Sequence, residues 1–213
     1  MVRRFITLEG GEGSGKSTQA RRLAEHLRTL GLDVVLTREP GGAPLAEAIR
    51  GLVLAHDPAS PVAECLLFAA ARAEHVAVTI APALARGAFV VCDRFTDSTR
   101  VYQGTLGGID ARLIATLEAA TIEPHRPALT LILDLDPAAG LARAAARGAT
   151  NRFEGHDLAW HRKLREGFLA IARAEPERCS IIDASADPDT VAAHVWQAVT
   201  AAYRLKPARP DLS

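Results

Sequence analysis

The stretch Gly10-Gly11-Glu12-Gly13-Ser14-Gly15-Lys16-Ser17 constrains this chain more than any other. It lies between an apolar run, Phe5-Ile6-Thr7-Leu8, and a helical pattern in which Ala20, Leu23, Ala24, Leu27 and Leu30 recur before the stop signal Gly31. A glycine-rich loop that leaves a strand and opens a helix can wrap its amides around phosphate oxygens. Lys16 can then reach the outer phosphates, the Ser17 hydroxyl can ligate magnesium, and the helix turns its positive end to the anion. The bland alternative is a glycine-rich turn with a surface lysine, which needs neither flanking element. Residues 10–18, ending at Thr18, are therefore expected to hold ATP with Mg²⁺.

The rest of the chain alternates short apolar runs with longer helical ones. Strands are expected at 4–8, 33–37, 88–92, 129–135 and 180–183, several of them apolar on both faces, as in a covered parallel sheet. Helices are expected at 111–122, 138–146, 158–174 and 189–203. Residues 62–86 read as a long central buried helix, kinked or divided at Pro82. The alternation implies an α/β fold, a mostly parallel sheet wrapped by helices, in one domain over 1–205. The proline-punctuated tail, 206–213, is expected to fray.

Composition narrows the function. Lys plus Arg equals Asp plus Glu at 25 each, so no overall field favours nucleic acid or anionic lipid. No signal-peptide pattern is seen at the start and no apolar run approaches membrane-spanning length. Cys65, Cys92 and Cys179 are sparse and widely spaced, as expected for buried thiols in a cytoplasmic protein. The seven histidines show no metal-ligand spacing, and surface or cap roles are expected for them.

Asp93-Arg94 ends a predicted buried strand, where open α/β sheets place their ligands. Asp93 could hold magnesium and Arg94 could grip an acceptor phosphate with both nitrogens, a structural ion pair being the alternative. Phe68 and Arg72 are four residues apart, on one helical face, as are Thr99 and Gln103, which could offer polar contacts to a base. Arg143, Arg147 and Arg152 frame Gly148-Ala149-Thr150-Asn151, a hinge-like segment suited to a lid near 143–155, unless all three are solvated surface charges.

Taken in order, Glu9 to Thr18, Thr37-Arg38-Glu39-Pro40-Gly41-Gly42, Leu67-Phe68-Ala69-Ala70-Ala71-Arg72, Cys92 to Thr99 and Tyr102-Gln103-Gly104 resemble the thymidylate kinase family over 5–203. The resemblance implies a five-stranded parallel sheet of nucleoside monophosphate kinase type, a homodimer, and transfer of the ATP γ-phosphate to dTMP. It also implies Arg38, Arg50 and Arg94 on the acceptor phosphate, Phe68 stacked on the base and Arg72 on a base carbonyl. Tyr102 would crowd the sugar 2′ position, and Glu12 would hold the 3′-hydroxyl. By themselves, Phe68 reads more readily as core and Arg50 as a solvated charge, and an outward loop residue is the alternative for Glu12. Some members carry an arginine where this chain has Gly13. The resemblance here is to the bacterial subtype that draws that charge from the lid, with Arg147 stabilising the transition state and Arg143 and Arg152 assisting. Asn151 stands where that pattern has an acid, and Arg100 is bulkier than the pattern leads one to expect and is read as facing solvent. Two alternatives stay open: another monophosphate or deoxynucleoside kinase, and a non-catalytic ATP-dependent switch. The absence of an Asn-Lys-x-Asp tetrad counts against a GTPase.

Overall fold

Five parallel strands form the centre, in the order β2-β3-β1-β4-β5. The computed structural model describes residues 4–56, 60–146, 148 and 152–205, with Arg152 and Glu154 described by backbone alone. The strands are β1 (Phe5–Glu9), β2 (Val34–Arg38), β3 (Phe89–Asp93), β4 (Leu129–Asp134) and β5 (Cys179–Asp183). Helices run between them: α1 (Lys16–Thr29), α2 (Pro44–Ala55), α3 (Pro61–His75), α4 (Ala81–Ala85), α5 (Thr96–Thr99), α6 (Ala111–Ile122), α7 (Pro137–Ala145), α8 (Leu158–Ala174) and α9 (Pro188–Tyr203).

The strand period of two sorts side chains into two cores. Ile6 and Leu8 of β1 join Leu23, Ala24 and Leu27 of α1 and Val191, Val195 and Val199 of α9 on one face. Phe5 turns to the other face, edge-to-face with Phe95 at 4.9 Å between ring centres, in a cluster with Val76, Ile80 and Ala83. Each fully buried Leu, Ile or Phe contributes roughly 1.5–3 kcal/mol, so Leu27→Ala, at a side chain with no exposure, costs about 3 kcal/mol. The edge strands depart from the expected all-buried pattern. Leu36 of β2 and Ile181 of β5 are exposed, because an edge strand lacks a neighbour on one side.

Two expectations for 62–86 are corrected. The helix is not divided at Pro82. Instead the register widens over Val76–Ile80, where the Ala81 amide reaches back to the Val76 carbonyl, and α4 continues from there. A proline has no amide to give and its ring crowds the preceding turn, so a locally wider turn just ahead of it relieves both. Nor is the helix buried all round: Val62, Leu66 and Val78 are exposed. The continuous span Pro61–Ala85 has 25 residues and a mean hydropathy of 1.3, so it is long and apolar enough to cross a membrane, contrary to the expectation. Here its inner face carries Arg72 and His75 to a buried carboxylate and packs Ile80 and Ala83 on β3.

A second widened stretch, Arg100–Leu106, follows α5 and carries Tyr102 and Gln103. Both this segment and the glycine-rich loop sit at the carboxyl ends of the adjacent central strands β1 and β3, which pair Leu8 with Asp93. That is where an open α/β sheet forms its crevice.

Candidate active site

A cleft of about 500 Å³ opens at those strand ends, within the usual range for a small-molecule site. It is lined by Gly13, Gly15, Lys16, Ser17 and Thr18 of the loop and the start of α1, and by Arg38, Arg50, Phe68, Arg72, Arg94, Thr99, Tyr102 and Gln103. Gly10 has a φ of 136° and Gly13 one of 68°, both left-handed. A Cβ on Gly13 would run into the Gly140 carbonyl of α7, so the loop and that helix touch backbone to backbone. This explains why no arginine occupies position 13: there is no room for any side chain.

Lys16 Nζ donates to the Gly11 carbonyl at 2.6 Å and to Ser14 Oγ at 3.2 Å. Burial and the neighbouring Arg94 charge lower its pKa to about 8, against the pull of Glu12, Asp93 and Glu9. The Ser17 hydroxyl donates to Asp93 Oδ2. That pair of hard oxygens beside the loop suits magnesium, which takes few protein ligands and completes its shell with phosphate and water. Among the described residues no three or more His, Cys, Asp or Glu side chains cluster as a metal site would need.

Arg94 is the hub. Its backbone has a φ of 68°, rare outside glycine and found where a site holds its residue in place. The guanidinium donates to the Gly10 carbonyl at 3.2 Å, to Ser98 Oγ at 3.1 Å and to Glu12 Oε1 at 2.8 Å. It also lies over the Tyr102 ring at 5.1 Å. Burial would lower its pKa, but the neighbouring Tyr102 and the carboxylates of Glu12, Glu9 and Asp93 outweigh that and raise it. Glu12 therefore points inward, its side chain only 11% exposed, rather than out into solvent. Burial pushes the Glu12 carboxyl up, yet Arg94, Lys16 and the Tyr102 hydroxyl at 2.7 Å bring it down to about 2.

Farther along, Phe68 and Arg72 of α3 both reach the cleft. Arg72 donates through Nε to Glu39 at 2.8 Å and through Nη2 to Thr99 Oγ1 at 2.9 Å, leaving Nη1 outside those bonds. Gln103 Nε2 donates to Glu64 Oε1 at 2.7 Å. The two remaining arginines are braced rather than free: Arg38 pairs with Glu47 and Arg50 donates to the Pro40 carbonyl.

Arg143 stands apart from this group. It donates to the carbonyls of Ala184 and Ser185 beside a second hollow of about 400 Å³, lined by Gly13, Thr18 and Pro188 among others. Its planar group there can cover a flat ring at the outer side of the loop, and it lines this hollow rather than the cleft that contains Lys16. Arg147 and 149–151, the centre of the expected lid, lie outside the described residues, as do the Arg152 side chain and 206–213.

Several residues were missed or misread from sequence. Glu39 is buried and accepts from Arg72 and His75, while His75 also shares a hydrogen bond with Thr37. The surface or cap role expected for the histidines thus fails for His75 and for His161, which are both buried. Glu9, with no exposure, accepts from the amides of Phe95 and Ser98 and from Ser98 Oγ. Burial and the Asp97 charge raise its pKa to about 7. A carboxylate closing a buried strand just before the loop was a signal for this role. Arg100 does not face solvent: it pairs with Glu118, Asp97 and Glu175. Two of its partners, Glu118 and Glu175, are far away in sequence, which hides the network from local reading.

The profile of the thymidylate kinase family matches residues 8–195. The chain belongs to the thymidylate kinase family. It is 56% identical over 197 residues to a thymidylate kinase of Caulobacter vibrioides, covering 92% of this chain and 95% of that one. A thymidylate kinase of Nitrobacter winogradskyi is also 56% identical, over 92% and 87% of the two chains. The crystal structure of thymidylate kinase from Ehrlichia chaffeensis superposes with a TM-score of 0.77 at 36% identity, covering 92% of this chain and 97% of that one. The five-stranded parallel sheet flanked by helices, which matches that thymidylate kinase structure over most of both chains, is the nucleoside monophosphate kinase fold.

Proposed function

We infer that this chain transfers the γ-phosphate of ATP to the 5′-phosphate of dTMP, giving dTDP and ADP. One observation carries the reading: a single cleft is lined both by the glycine-rich loop with Lys16 and by Arg94, Phe68 and Arg72. Two polyanions brought end to end repel each other, so the protein's task is alignment and charge neutralisation. The acceptor phosphate, with a second pKa of about 6, is already largely dianionic at neutral pH and needs no general base.

The loop amides and Lys16 hold the donor phosphates. Ser17 and Asp93 would hold magnesium, which would supply positive charge to the donor oxygens. Arg94, with Arg38 and Arg50, takes the acceptor phosphate, exchanging its present bond to Glu12 for it. Glu12 is then free to accept the sugar 3′-hydroxyl, and Tyr102 beside it crowds a 2′ substituent. Phe68 stacks on the base, while Arg72, Thr99 and Gln103 read its edge. Arg147 is assigned the transition-state charge, with Arg152 beside it on a lid spanning 143–155. Arg143 is assigned to the donor's base side. The domain is taken as 1–205 with a tail at 206–213.

A homodimer is part of this proposal, supported by the outward apolar side chains Leu45 and Leu52 of α2 and Val62 and Leu66 of α3. The free buried cysteines support a reducing, cytoplasmic setting, with nucleotides rather than nucleic acid or membrane as partners. The test is turnover of ATP with dTMP, dUMP, dCMP or dGMP as acceptor. Preference for dTMP is expected; preference for another base would point to a different monophosphate kinase, and no response to any monophosphate to a switch protein.

A further inference from the structure

Glu64, Phe68 and Arg72 are spaced four residues apart, so α3 shows them as one stripe. Facing this stripe are Thr99 and Gln103, also four apart, on α5 and the segment after it. Two rungs join the faces: Arg72 Nη2 to Thr99 Oγ1 at 2.9 Å, and Gln103 Nε2 to Glu64 Oε1 at 2.7 Å. Phe68 lies between the rungs in sequence and lines the cleft, as do Arg72, Thr99 and Gln103, whereas Glu64 does not.

The second rung has a chemical consequence. An amide can present either its oxygen or its NH₂ group, and only its partners decide which. A carboxylate accepts and does not donate, so Glu64 takes the Gln103 NH₂. The Gln103 carbonyl oxygen is left as the group for the cleft, and Gln103 is 4% exposed, with little room to turn. The Arg72 guanidinium can only donate. The two rungs together therefore offer a donor and an acceptor in a fixed arrangement. A base edge with a carbonyl beside a ring N–H, as in thymine, matches them. Cytosine, with an amino group beside a bare ring nitrogen, presents the inverse.

We propose that Glu64 is a positioning residue for base specificity: it fixes the Gln103 amide so that Oε1 faces the cleft and accepts from a pyrimidine ring N–H, selecting against cytosine. This rests on the assignment of Gln103 to the base, given above. A buried polar mismatch is a strong discriminator, because a group prepared for a hydrogen bond is left facing its own kind.

The test compares kcat/KM for dTMP and dCMP in the wild type, Glu64→Gln, Glu64→Ala and Gln103→Leu. Glu64→Gln keeps the shape but can donate or accept, so the Gln103 amide can reverse. The dTMP-to-dCMP ratio then falls about tenfold, with KM for ATP unchanged within twofold. A role in stability alone would lower both substrates together and leave the ratio intact. A ratio within twofold of wild type in both Glu64 variants overturns the proposal. Gln103→Leu separates the causes: if it collapses the ratio while the Glu64 variants do not, only the Glu64 inference falls. If Gln103→Leu also leaves the ratio unchanged, the assignment of Gln103 to the base falls with it.

Discussion

Removing the Arg94 side chain tests the electrostatic centre of the site without any substrate. Glu12 is 11% exposed and bound to Arg94 at 2.8 Å. Its pKa is brought from 4.5 to about 2: burial is the largest influence and raises it, but Arg94, the strongest of the opposing ones, with Lys16 and Tyr102, more than reverses it. At about 1.4 kcal/mol per tenfold in proton affinity, that depression corresponds to roughly 3 kcal/mol favouring the folded state. A carboxyl depressed on folding stabilises above its unfolded pKa, near 4.5, and loses that contribution as the pH falls through about 2. In Arg94→Ala burial is opposed only by weaker influences, so the Glu12 pKa rises. The variant should lose about 3 kcal/mol at pH 7.5, in line with the usual cost of stranding a buried charge. Near pH 5 Glu12 can take a proton, and the deficit should shrink by 1 kcal/mol or more. Urea denaturation at the two pH values measures this, and a cycle with Glu12→Gln should give a coupling of about 2 kcal/mol or more at pH 7.5. A loss below 1 kcal/mol, or an equal loss at both pH values, would refute the reasoning.

Lys16 makes ATP binding pH-dependent. Its pKa is about 8 in the free protein, lowered by burial first and then by Arg94, and bound phosphates restore it. Binding above pH 8 then takes up a proton, and the ATP Kd should rise by up to about tenfold per pH unit, a slope that Lys16→Ala abolishes in calorimetric titrations. A Kd that stays flat to pH 9.5 would contradict the shift. Arg147→Ala should lower kcat by about 10³-fold with KM for both nucleotides nearly unchanged, the mark of an interaction made in the transition state. Normal turnover would remove Arg147 from that role.

Much of the fold could be read from sequence because its signals are local. The phosphate loop is contiguous, and the strands announce themselves as apolar runs, so β1 to β5 fall within a residue or two of expectation. Phe68 and Arg72 share a helix face by spacing alone and do reach one cleft. What stayed hidden depends on contacts between distant segments. Arg100 looked like a surface charge because Glu118 and Glu175 come to it only through tertiary packing. Glu39 and His75 are 36 residues apart, and nothing in either neighbourhood foretells their buried bond. Pro82 announced a disturbance but not its form, since a wider turn and a break relieve the same clash.

The most direct measurement is a crystal structure with dTMP and a non-hydrolysable ATP analogue bound together. The account requires the two phosphate chains to meet between Lys16 and Arg94, with Arg94 moved from Glu12 onto the dTMP phosphate and thymine against Phe68. A dTMP bound away from Arg94, or an Arg94 still clasping Glu12 with both nucleotides present, would contradict it.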